Sequence, residues 1–111
     1  MPESASTVRL VLTTVGTVEE AERLARTIVD ERLAACVTLV PGVRSIYRWQ
    51  GKVEDAAETM LWIKTDTEQL AQLEARIRVL HSYETPEFLV LTVDAGSSGY
   101  LDWLRANLDK I

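Results

Sequence analysis

Two extended runs on either side of a short break constrain this chain more than any other feature of its sequence. Val43, Ser45, Tyr47 and Trp49 alternate with Arg44, Ile46, Arg48 and Gln50, which is the two-residue period of a strand. Gly51-Lys52 interrupts the pattern, and Val53 to Lys64 resumes as an extended segment with Met60-Leu61-Trp62-Ile63 at its apolar end. A long hairpin is the simplest structure that accommodates both. At about 3.3 Å per residue its arms reach about 30 Å, longer than the other strands expected here, so part of the ribbon projects beyond its sheet. Exposed edges on such a ribbon invite pairing with another strand.

The rest of the chain supplies what the ribbon grows from. Residues 1–7 precede any periodicity and read as a flexible, frayed tail. Val8 to Thr14 is short, β-branched and apolar, a strand ending near Gly16. Thr17 stands three residues before Glu20, the spacing of a capping box, and Ala21, Leu24, Ala25 and Ile28 share one face of a helix expected over Val18 to Leu33. Ala34 to Val40 reads as a second strand, closed by Pro41-Gly42. Asp66 or Thr67 caps a second helix carrying Leu70, Leu73, Ile77 and Leu80, which ends near His81. Phe88 to Val93 is continuously apolar and reads as a well-buried strand, residues 95–99 as a loop, and Leu101, Leu104, Leu108 and Ile111 as the stripe of a last helix.

This order gives an α+β chain of ferredoxin-like type, a β-α-β-β-α-β sandwich with an extended hairpin and a C-terminal helix, in one domain over residues 8–111. With 111 residues, 47% of them hydrophobic, the chain is long enough for one core and too short for two. Its 17 acidic against 12 basic residues, a net charge of −5, argue against nucleic-acid binding, which rests on Lys and Arg at phosphates. No apolar run approaches the length of a membrane span, and MPESASTVRL lacks the basic start and apolar stretch of a signal peptide. A single cysteine agrees with a reducing compartment, so the expected setting is the cytoplasm.

Few residues carry distinctive chemistry. Cys36 is either a small hydrophobe in a strand or a soft-metal ligand. The lone histidine, His81, sits at a helix end with Glu84 and Glu87 close behind, so an imidazole and two carboxylates can share a loop; helix capping and metal or acid-base work are both open to it. Tyr47, Trp49 and Trp62 suit a core, a subunit contact or a pocket wall, and Lys52, Lys64, Glu54, Asp55 and Glu58 suit a solvated rim. No phosphate-binding glycine loop, Gly-x-Ser-x-Gly or His-Glu-x-x-His is present, and Thr13-Thr14-Val15-Gly16-Thr17 lacks the arginine of an acylphosphatase cradle. An enzyme is not the expectation.

Five blocks taken together resemble the CutA divalent-cation-tolerance family. They are Leu33-Ala34-Ala35-Cys36-Val37, Ser45-Ile46-Tyr47-x-Trp49-x-Gly51-Lys52, Ile63-Lys64-Thr65, His81-x-Tyr83-Glu84-x-Pro86-Glu87 and Gly99-Tyr100-Leu101-x-Trp103. The chain departs from the family pattern at Arg48, Gln50, Thr59 and Ser82. Ser82 stands where proline is common and implies a looser loop beside His81. The resemblance implies a homotrimer held by strand pairing between subunits, without an obligatory cofactor, that binds copper and other divalent metal ions. Cys36, His81 and Glu84 match the family's metal positions. The alternative it leaves open is a PII-like signalling module that takes a small anionic ligand or a partner protein in inter-subunit clefts, with Tyr47, Trp49, Glu58, Lys64 and Tyr83 as lining residues.

Overall fold

The computed structural model describes residues 2–109. Six strands and three α-helices follow in the order β1 (Glu3–Ser4), β2 (Val8–Val15), α1 (Val18–Asp30), β3 (Cys36–Trp49), β4 (Lys52–Asp66), α2 (Leu70–Leu80), β5 (Leu89–Thr92), β6 (Ala95–Gly96) and α3 (Ser98–Ala106). The main sheet is antiparallel in the order β3-β4-β2-β5, with β1 and β6 forming a separate two-stranded ribbon. This is the ferredoxin-like arrangement.

Strand periodicity decides what each face holds. Val11, Thr13 and Val15 of β2 and Leu61, Ile63 and Thr65 of β4 point under the helices and are buried, where they meet Leu24 and Ile28 of α1 and Leu73 and Ile77 of α2. A second cluster joins Ala5, Val8 and Ala35 to Leu101, Leu104 and Leu108. The opposite sheet face carries Val40, Trp62, Leu89 and Leu91, each 38% exposed or more, and none of the described residues covers it. The Phe88–Val93 strand is therefore not well buried: all four residues of β5 are exposed, because β5 is an edge strand on an uncovered face.

The hairpin is longer than its sequence pattern indicates. Pro41-Gly42 does not end a strand; β3 runs through it as a bulge, with Val40 opposite Met60 and Val43 opposite Glu58. Proline lacks an N–H and is tolerated where a ladder is interrupted, and Gly42 takes φ +76°. The molecule measures 46 × 27 × 21 Å, elongated as a projecting ribbon requires.

Three other boundaries differ from expectation. α1 stops at Asp30 rather than Leu33 because Arg32 adopts φ +60°, outside the helical region. The tail is not frayed over residues 3–5: β1 pairs with β6, Ala5 is fully buried and its N–H donates to the Asp94 carbonyl. Residues 95–99 are not a loop: Ala95–Gly96 form β6 against β1 and α3 begins at Ser98. α3 buries Leu101, Leu104 and Leu108 as its stripe predicts, and Ile111 lies outside the described residues.

Candidate functional site

A cleft of about 430 Å³ opens between the projecting hairpin and the loop after α2. Tyr47, Trp49 and Glu58 line it from the hairpin, Tyr83, Glu84 and Glu87 from the loop, with the hydroxyls of Thr14, Ser45 and Thr85 between them. The bulge builds this wall. Three residues of β3 pass while β4 advances by two, so the alternation changes phase and Val43, Ser45, Tyr47 and Trp49 come to share a side with Glu58.

The loop wall is fixed at three points. His81 is buried; its Nε2–H donates to the Thr14 carbonyl at 2.7 Å, and its Nδ1 accepts the Tyr83 N–H at 3.0 Å. Those partners assign the ring proton to Nε2 and commit both nitrogens. Ser82 donates through its N–H and its hydroxyl to the two carboxylate oxygens of Glu20, each at 3.0 Å. The residue expected to loosen the loop instead anchors it. The capping box is correspondingly half made: Thr17 accepts from the Glu20 N–H, while the Glu20 side chain turns to Ser82. Third, the Tyr83 hydroxyl donates to Glu58 Oε2 at 2.8 Å across the cleft.

Electrostatics give the cleft its character. Three carboxylates line it and, among the described residues, no Lys or Arg does. Burial, and then the negative charge of Glu58, hold the Glu87 carboxyl above the ordinary carboxylate range. Burial, followed by the hydrogen bond and charge of Glu58, pushes the Tyr83 phenol above its usual value, so it remains a donor. A negative, partly desolvated, aromatic-lined cleft suits a cation.

The metal set is not gathered in one chain. Cys36 pairs with Lys64, whose partner on the other side is Leu10, four residues along β2 from Thr14, where His81 is tied, or roughly 13 Å at strand rise. Glu84 lines the cleft without either of them. Among the described residues no three His, Cys, Asp or Glu side chains lie close enough to hold a metal ion. Lys64 is also absent from the cleft: its ammonium donates to Thr38 Oγ1 and lies 3.8 Å from Cys36 Sγ. Of the expected lining residues, Tyr47, Trp49, Glu58 and Tyr83 do come together. Sequence reasoning missed Thr14, Ser45 and Thr85, whose small hydroxyls signal nothing until the bulge and the loop bring them to one wall.

Residues 9–107 match the family model described as CutA1 divalent ion tolerance protein. The chain belongs to that family. It is 48% identical over 98 residues to the divalent-cation tolerance protein CutA of Thermus thermophilus, covering 88% of this chain and 95% of that one. The Pectobacterium atrosepticum protein of the same name is 50% identical over 88 residues, 79% of this chain and 80% of the other. The structure of CutA from Synechococcus elongatus superimposes with a TM-score of 0.94 at 43% identity, over 98% of this chain and 96% of that one. Family and fold therefore agree with the five sequence blocks. Among the described residues no helix is long and apolar enough to cross a membrane.

Proposed function

We propose that the protein serves divalent-cation tolerance by binding the ions, copper among them, as a homotrimer whose subunits pool their donors. The observation that carries this reading is the convergence of Glu58, Glu84 and Glu87 on one cleft without a compensating basic residue. Such a field attracts cations and repels the anionic ligand of a PII-like module. Pooling is needed because one chain brings too few ligands together. A soft ion such as copper prefers thiolate and imidazole, and with one Cys and one His per chain it requires carboxylates or a neighbouring subunit to complete its shell. The uncovered apolar face and the projecting hairpin supply surfaces for the neighbour. A binding protein rather than an enzyme, in a reducing compartment such as the cytoplasm, completes the reading, and the lone cysteine supports that compartment.

Calorimetric titration with Cu(II), and anaerobically with Cu(I), tests the reading. Binding is expected to weaken by at least about tenfold in Glu84→Gln/Glu87→Gln and in Cys36→Ser, since each loses a ligand worth more than about 1.4 kcal/mol. Unchanged affinity in both variants would overturn it.

A further inference from the structure

The size and lining of the cleft carry a second ligand class. A volume of about 430 Å³ lies in the range of small-molecule sites, about 300–1,000 Å³, and far exceeds what a bare ion fills. Its carboxylates are also too far apart to close around one metal ion within a chain. Three aromatic side chains, Tyr47, Trp49 and Tyr83, stand around them, half exposed at 44%, 49% and 39%. Scattered aromatic surface needs no explanation, but aromatic rings beside carboxylates in a concave site are the chemistry that recognises ammonium groups. The ring faces attract the diffuse charge and the carboxylates neutralise it. Glu58 strengthens the case. It is 7% exposed, and its one hydrogen bond among the described residues goes from Tyr83 to Oε2, leaving Oε1 without a protein donor.

We infer that the cleft binds a small organic cation bearing an alkylated ammonium group, held between Trp49 and the Glu58, Glu84 and Glu87 carboxylates. The inference goes beyond metal binding and does not rest on it. Trp49 supplies the ring face, Tyr83 keeps Glu58 oriented through its O–H, and the anchored loop sets the spacing between the walls.

Tetramethylammonium is the probe, with tert-butanol as its uncharged counterpart of similar shape, each titrated into the full-length protein and followed by saturation-transfer NMR. Saturable binding of tetramethylammonium, absent for tert-butanol, is expected. Affinity should fall about tenfold in Trp49→Leu, be largely kept in Trp49→Phe, which retains a ring, and be unaffected by Trp103→Leu outside the cleft. Glu84→Gln/Glu87→Gln should weaken it too. Equal binding of tert-butanol would show a merely apolar pocket and overturn the inference, as would absence of saturable binding or full affinity in a Trp49→Leu protein with wild-type melting. Copper titration of the same samples separates the two readings: an ammonium failure with copper binding intact refutes only this inference, and the reverse refutes only the metal reading.

Discussion

Tyr83 shows how much one hydroxyl holds in place. It is the donor to a carboxylate buried at the base of the cleft, so Tyr83→Phe removes a bond and strands a charge. Hydrogen bonds to charged groups are worth about 1.5–3 kcal/mol, and denaturant unfolding of Tyr83→Phe is expected to show a loss of about 2 kcal/mol. Glu87 makes the opposite prediction. Burial and the nearby Glu58 raise its folded-state affinity for a proton, so between the unfolded and the folded pKa the native state binds more protons than the unfolded chain. Its contribution to stability therefore falls as pH rises through that window and stays unfavourable above it. Glu87→Gln is expected to melt above the wild type at pH 7, with the difference shrinking as pH falls through the ordinary glutamate range and gone by about pH 3, where the carboxyl is protonated in both the folded and the unfolded chain. A constant difference across that range in a thermal scan would contradict the assignment. For His81 the sequence leaves helix capping and metal or acid-base work equally open. Its two committed nitrogens could not be read from sequence, since they depend on a carbonyl 67 residues away.

Elements were legible where periodicity governs them and illegible where a single residue redirects the chain. The hairpin, both core helices and the apolar stripe of α3 follow from spacing alone, because burying those faces is the dominant favourable term in folding. The Pro41-Gly42 pair carries the same signal for a stop and for a bulge. Only the partner strand distinguishes them, as β4 continues past both residues. This is also why the cleft was only partly visible: with both residues kept in regular pairing, Tyr47 and Trp49 would face away from Glu58. Deleting Gly42 removes the extra residue and leaves Val43 opposite Glu58 through regular pairing, so both aromatics should keep their side; circular dichroism and the tryptophan fluorescence of the variant are expected to match the wild type, and a shifted spectrum would count against this register. At the ribbon's tip Gln50 and Gly51 take φ of +49° and +80°, the two left-handed residues of a tight hairpin turn. Gly51→Ala is expected to cost about 1 kcal/mol in unfolding experiments.

For the whole molecule, a sheet with one face buried under helices and the other left apolar is unfinished as a monomer. Val40, Trp62, Leu89 and Leu91 are exposed on that face, and among the described residues the edges of the long β3 and the short β5 remain unpaired. In the proposed trimer a neighbouring subunit closes both and adds its own donors to the shared ion. A charge placed in this face, as in Leu91→Asp, is expected to split the assembly without unfolding the chain, read by light scattering. Native mass spectrometry with Cu(II) present tests assembly and ion binding together. The expected species is three times the 12.4 kDa chain mass and carries copper, which Glu84→Gln/Glu87→Gln releases while the trimer survives. A monomer that binds copper unaided, or a trimer of the wild type that carries none, would contradict the account.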